Sequence, residues 1–267
     1  MTSGSYAERM EYRVVDAFTD RPFAGNPAAV LILDGPYDEG WARRVAAEFN
    51  LSETAFTRPL PDGTRELRWF TPEVEVDLCG HATLATAHVL AELGVEGPYR
   101  FSSRSGPLSV TAEGGRLWLD FPSRPAEAIE APDGLAQALG VAPLWVGRGG
   151  TDDLLVEVAD EAAVRALAPD LQVLRALPAR GVIVTAPGDE YDVVSRFFAP
   201  GAGVPEDPVT GSAHTVLAPF WAERLGRDEL TAHQASARGG DLLLRLRGDR
   251  VDIGGHAVSV ATGDLKV

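Results

Sequence analysis

Residues able to do chemistry cluster in a few short passages. Cys79-Gly80-His81 places a thiol and an imidazole around a glycine, just ahead of an apolar run. A thiol at a helix N-terminus has a depressed pKa and can act as nucleophile or acid/base group. A lone buried cysteine can equally be a small core residue. His81 is suited to relay a proton or donate to a substrate, or to be satisfied within the core. Glu53 lies in Leu51-Ser52-Glu53-Thr54-Ala55-Phe56, acidic among apolar and small residues. Such surroundings disfavour the charged carboxylate and suit general acid/base work near neutral pH, unless the side chain faces outward from a strand. Asp207 precedes Thr210-Gly211-Ser212-Ala213-His214, where it could take part in chemistry or cap and fix the loop. Asn26 and Ser212 are small polar groups fit to orient a substrate and also common in turns.

Two of these passages are copies of one pattern, about half the chain apart. Phe70-Thr71-Pro72 leads to Asp77-Leu78-Cys79-Gly80-His81-Ala82-Thr83, and Phe198-Ala199-Pro200 leads to Asp207-Pro208-Val209-Thr210-Gly211-Ser212-Ala213-His214. Each opens an apolar helix that closes on Leu-Gly, at Leu93-Gly94 and Leu225-Gly226. A long repeat present only twice implies two similar halves rather than a solenoid. On this alignment Asp77 is the counterpart of Asp207. Gly80 and Gly211 each expose helix N-terminal N–H groups, which favour an anion. Two such termini facing each other across a cleft would hold a small carboxylate.

Composition narrows the chemistry. The net charge is −15, with acidic residues spread along the chain, which argues against nucleic acid or anionic membrane as partners. Lys266 is the only lysine, next to the end of the chain, so a pyridoxal Schiff base has no suitable residue. Cys79 is the only cysteine: an intramolecular disulfide cannot form, and a cysteine-based zinc site would lack partners. Two-thiol racemisation also lacks its second thiol, because the repeat partner of Cys79 is Thr210. His88, His214, His233 and His256 show no metal-ligand spacing, so no metal is expected. No Gly-x-Gly-x-x-Gly follows a strand to open a helix. Met1–Met10 carries no apolar signal segment, and the longest apolar run, Ala28–Leu33, is too short to span a bilayer. A cytoplasmic protein is expected.

Many strands must position these groups. Strand-like stretches are Tyr12–Phe18, Ala28–Leu33, Leu51–Thr57, Glu66–Phe70, Tyr99–Ser102, Pro107–Ala112, Arg116–Phe121, Asp153–Val158 and Gly181–Thr185. Leu230–Ser236, Asp241–Arg247, Arg250–Ile253 and Ala257–Val260 continue the series. Helical spacing marks Asp38–Phe49, His81–Leu93 and Ser212–Leu225, the last with Pro219 as an expected kink, and short helices are expected at Asp133–Leu139 and Asp160–Ala166. The His81–Leu93 helix has no polar face and must be buried on all sides, most simply by a curved sheet wrapped around it. The expected class is α+β rather than a βαβ Rossmann domain. Pro122–Pro132, rich in Pro and Ala, is the candidate linker. The expected halves are residues 1–122, with 257–267 returning to them, and 123–256.

Taken together, the motifs carry a resemblance. Val15–Val30, Leu51–Phe56, Asp77–Thr83 and Glu206–His214, in that order, are similar to passages of the phenazine-biosynthesis F-type (PhzF-like) isomerases. A tail like Ala235-Ser236-Ala237-Arg238-Gly239-Gly240 also occurs in that family. The resemblance implies the diaminopimelate epimerase-like fold: two pseudo-symmetric halves, each a curved sheet around a central helix, with the site between them. It implies cofactor-free isomerisation of a small cyclic or amino-acid-like carboxylate in secondary metabolism, by a homodimer. In that scheme Glu53 moves a proton between two carbons, and His81, Asp207 and Ser212 orient the substrate and assist proton traffic. Asn26 lines the pocket, and Gly80 and Gly211 open the helices that hold the carboxylate. Cys79-Gly80-His81 also looks like a half-site of proline racemases and hydroxyproline dehydratases. A hydro-lyase using Cys79 as base is therefore a second reading, and a non-catalytic small-molecule binding protein a third.

Overall fold

The computed structural model describes residues 9–150 and 152–266, so most of Met1–Met10 lies outside the described residues. The chain divides into two compact units. One comprises Met1–Phe23, Pro27–Leu117 and His256–Val267; the other comprises Ala24–Asn26 and Trp118–Gly255. The divide falls within a strand, ahead of the Pro/Ala-rich stretch, part of which (Glu127–Ala128) pairs with a strand of the second unit.

In the first unit, β1 (Arg9–Ala17) pairs antiparallel with the C-terminal strand Ala257–Lys266. β2 (Asn26–Ile32), whose first residue belongs to the other unit, leads through α1 (Glu39–Phe49) to β3 (Glu53–Pro59), which lies parallel to β2. α1 is capped by Asp38, whose carboxylate accepts the Trp41 N–H at 2.8 Å, and it ends on Asn50 in the left-handed region (φ 50°). β4 (Arg65–Phe70) and β5 (Glu75–Val76) follow antiparallel, and α2 (Gly80–Glu92) begins after them. β6 (Tyr99–Ser103) returns parallel to β4 and pairs antiparallel with β7 (Gly106–Glu113). Leu31, Phe56 and Phe70 pack over Ala42, Val45 and Ala46 of α1.

The second unit starts with β8 (Arg116–Pro122), whose first two residues belong to the other unit, then β9 (Glu127–Ala128), α3 (Leu135–Leu139) and β10 (Trp145–Arg148). Its next part retraces the first unit's path. β11 (Asp153–Glu157) leads through α4 (Glu161–Arg165) and α5 (Leu171–Ala176) to β12 (Gly181–Pro187), parallel to β11. β13 (Val193–Ala199) and β14 (Val204–Asp207) follow antiparallel, and α6 (Gly211–Leu225) begins after them. β15 (Glu229–Gln234) returns parallel to β13 and pairs antiparallel with β16 (Gly240–Arg247), which pairs with β17 (Arg250–Gly255).

The two long apolar helices are the buried centres expected of them. Residues 81–87, Val89 and Leu90 of α2 are buried, and α6 is buried along most of its length. α6 continues through Pro219 from Gly211 to Leu225. Strand β13 has no alternating pattern to betray it: Val193, Val194, Phe197 and Phe198 are buried on both faces, and Arg196 is held by Glu206 at 2.7 Å. Among the described residues no helix is long and apolar enough to cross a membrane.

Candidate active site

Glu53 is the first residue of β3, in register with Ala28 of β2. Cys79, in extended backbone, is the N-cap of α2, and its side chain makes no capping hydrogen bond. The carbonyl of Cys79 is held instead by the Thr83 hydroxyl at 2.5 Å, which keeps the first turn regular. These two backbone placements bring three side chains into line. Glu53 Oε2 lies 3.2 Å from His81 Nε2, and Cys79 Sγ lies 3.5 Å from His81 Nδ1. Burial pushes the His81 imidazole down to about 3, so it is neutral at physiological pH. A neutral imidazole donates through one nitrogen and accepts through the other. Nδ1 faces the thiol and Nε2 faces the Glu53 carboxyl, so either tautomer keeps one ring nitrogen able to give a proton and the other able to take one. The order thiol, imidazole, carboxylate is a path along which a proton can move.

Glu53, Cys79 and His81 also bring one metal-ligating atom each within 4.8 Å of one another. The imidazole turns Nδ1 to the sulfur at 3.5 Å and Nε2 to the carboxylate at 3.2 Å.

In the second unit, Asn26 is fully buried and spends its amide hydrogens on Asp207 Oδ1 (2.8 Å) and the Val209 carbonyl (2.9 Å). The Thr210 hydroxyl donates to Asp207 Oδ2 at 2.5 Å. Burial pushes the Asp207 carboxyl up to about 6, against the Thr210 and Asn26 hydrogen bonds and the charge of Arg180, all of which draw it down. Thr210 is the N-cap of α6, and its side chain, turned to Asp207, makes no capping bond. His214 plays the part of Thr83, its Nδ1 donating to the Thr210 carbonyl at 2.8 Å. Both helix starts therefore leave first-turn N–H groups without a side-chain cap, the condition for receiving an anion.

Several residues that the motifs did not mark hold this half together. Gln234, fully buried, accepts the Thr210 N–H through Oε1 (2.8 Å) and donates through Nε2 to the Asp207 carbonyl (2.8 Å) and the Thr210 hydroxyl (3.2 Å). Ser236 donates to the Pro208 carbonyl at 2.8 Å, and Arg238 donates to the carbonyls of Gly25 and Ala24. The Ala235–Gly240 passage is thus the clamp that fixes Ala24, Gly25 and Pro208. Ser212 receives Arg180 Nη2 at 3.0 Å, and the same guanidinium grips buried Asp153 through Nε (2.9 Å) and Nη2 (2.5 Å).

Strand register corrects one pairing. Asp207 lies opposite Phe197, whereas in the first unit Val76 lies opposite Trp69. The structural counterpart of Asp207 is therefore Val76. Asp77 falls in the following loop, mostly exposed, with Arg104 at 3.9 Å.

Comparison with known proteins agrees with this architecture. Residues 15–263 match the phenazine biosynthesis-like protein family (PhzC-PhzF). An uncharacterized isomerase of Pseudomonas aeruginosa is 54% identical over 261 residues, covering 97% of this chain and 99% of that protein. The crystal structure of a phenazine biosynthesis PhzF-family protein from Enterococcus faecalis is 45% identical, with a TM-score of 0.94, over 97% of this chain and 100% of that one. A hydroxyproline epimerase from Agrobacterium vitis shares the fold at 10% identity and a TM-score of 0.65, over 98% of this chain and 94% of that one. Buried helices in two like units, a carboxylate on the imidazole at one helix start, and similarity along nearly the whole chain lead to one conclusion: this chain belongs to the PhzF-like family of isomerases, with the α+β, diaminopimelate epimerase-like fold.

Proposed function

We propose that this protein is a cofactor-independent isomerase that moves a proton between carbons of a small cyclic or amino-acid-like carboxylate in secondary metabolism. The observation that carries the reading is the Glu53 carboxylate held 3.2 Å from the neutral His81 imidazole. Glu53 takes the proton from one carbon as a base and returns it to another as an acid. His81 orients Glu53 and gives its proton a second location, towards Cys79. Asp207 and Ser212 orient the substrate, Asn26 fixes Asp207, and the N–H groups at Gly80 and Gly211 receive carboxylate oxygens. Proton transfer between carbons moves no hydride, so the chemistry asks for acid/base side chains and no redox group.

The test is proton wash-in. Cyclic and α-amino carboxylates are incubated with the enzyme in D₂O and followed by ¹H NMR. Deuterium should enter the receiving carbon of the substrate. Glu53→Gln should slow exchange by about 10²–10⁴-fold, while Cys79→Ser keeps most of it. The thiol 3.5 Å from His81 Nδ1 keeps a hydro-lyase as the competing reading. That reading requires the reverse, with Cys79→Ser dead, Glu53→Gln active and water lost from a hydroxy-amino acid.

A further inference from the structure

We propose that Arg180 is the carboxylate-reading residue of the second unit: through Nη1, with the Ser212 hydroxyl and the first N–H groups of α6, it holds the carboxylate of the substrate. The inference rests on the isomerase reading above and specifies which side chain sets the requirement for an acid group.

It starts from what the two units share and where they differ. In each, a parallel strand pair begins beside a helix start. β3 begins at Glu53, opposite Ala28, and β12 begins at Gly181, opposite Asp153. Gly80 and Gly211 are the first residues of their helices, so His81 and Ser212 hold equivalent second positions. In the first unit that second residue meets a carboxylate, Glu53. In the second it meets a guanidinium, that of Arg180, the residue just before the strand. The same framework carries a proton acceptor in one unit and a fixed positive charge in the other.

The guanidinium is prepared for a ligand. Nε and Nη2 are spent on the wholly buried Asp153, and Nη2 also reaches Ser212. Nη1 makes no hydrogen bond among the described residues, and the side chain is 40% exposed. The Phe197 ring supports the guanidinium from 5.3 Å. That ring can lie there because residue 181 is glycine: a Cβ would stand 2.4 Å from Phe197 Cζ. Ser212 Oγ already accepts from Arg180, so its own hydrogen is free to donate outward. Nη1, the Ser212 hydroxyl and uncapped backbone N–H groups are all donors, and a planar carboxylate offers two oxygens for them. Support for Asp153 alone would not require Arg180 to be half-exposed or to touch the helix start.

The experiment measures binding by calorimetry or NMR titration with 2-aminobenzoate and proline, against 2-aminobenzamide and prolinamide. Arg180→Gln should weaken carboxylate binding by about 10- to 100-fold, the loss of one or two hydrogen bonds to a charged group. Amide binding should be unchanged, and Arg180→Lys should recover part of the loss. Because Arg180→Gln strands the Asp153 charge and can unfold the protein, the double variant R180Q/D153N removes both charges and should show the same selective loss. Carboxylate affinity in the folded double variant equal to wild type overturns the role of Arg180 and leaves the isomerase reading standing. Wild type that binds neither carboxylate overturns the carboxylate-substrate reading, and this inference with it.

Discussion

At the scale of single residues, burial rather than charge pairing sets the protonation states. His81 stays neutral although a carboxylate touches it, and a neutral imidazole can both give and take a proton. Asp207 shows the converse, a carboxyl raised to about 6 by burial. Its sign follows from linkage. Between about pH 4 and 6 the folded protein keeps a proton that the unfolded chain has lost, so this group's contribution to stability falls as pH rises through that window. Asp207→Asn, which keeps an acceptor for Asn26, should therefore stabilise the protein above pH 6, by about 1–3 kcal/mol. The gain should vanish below about pH 4, where the native carboxyl is protonated in both states. Urea unfolding at pH 4 and pH 8 measures it. A loss of stability at pH 8 would mean that the hydrogen bonds outweigh burial.

At the scale of elements, each helix start owes its position to the strand before it and to the hydrogen bonds that end that strand. Gln234 is the sharpest case. It lies on β15, yet it satisfies the backbone at Asp207 and Thr210, on both sides of the turn into α6. Gln234→Leu removes those partners while keeping the side chain's bulk, leaving a buried N–H and carbonyl unsatisfied. It should cost about 1–3 kcal/mol in denaturant unfolding. Substrate affinity should fall with it, because the α6 N–H groups lose their fixed direction. A stability unchanged within error would show that the turn holds itself. Sequence pattern reveals these elements where it is strong: α1 by its spacing, α2 and α6 by their apolar runs. It passes over β13, α5 and the short β10 and β14, where burial on both faces or brevity removes any period.

At the scale of the whole molecule, buried neutral histidines predict acid sensitivity. Burial lowers His81 to about 3 and His214 to about 4, and it also holds His88 below its ordinary value. The unfolded chain takes up protons on these rings below about pH 6.5, and the folded one does so only near the lowered values. Their contribution to stability is therefore full above pH 6.5 and is lost as pH falls towards 4 and then 3. Asp207 acts in the opposite direction over part of the range and offsets some of the loss. The net expectation is a protein less stable at pH 5 than at pH 8 by on the order of 1–3 kcal/mol. His214→Gln should reduce that difference, and equal urea midpoints at both pH values for the wild type would contradict the neutral assignment.

Much of this protein could be read without coordinates. The doubled motif is local in sequence and implies two similar halves. The apolar helices imply burial, and Glu53, His81 and Asn26 stood out by type and context. The α+β class follows from counting strands around two such helices. What only the tertiary structure decided is which side chains meet. The contact of Glu53 with His81 joins a strand start to a helix start that lies well further along the chain. The grip of Gln234 on the Asp207–Thr210 turn, and of Arg180 on Ser212, are contacts of the same kind. Pattern and propensity act over a few residues, whereas these contacts depend on strand register, and register is set by packing. The alignment of Asp77 with Asp207 failed for that reason: the repeated residues match by eye, but backbone pairing puts Val76 in the equivalent place.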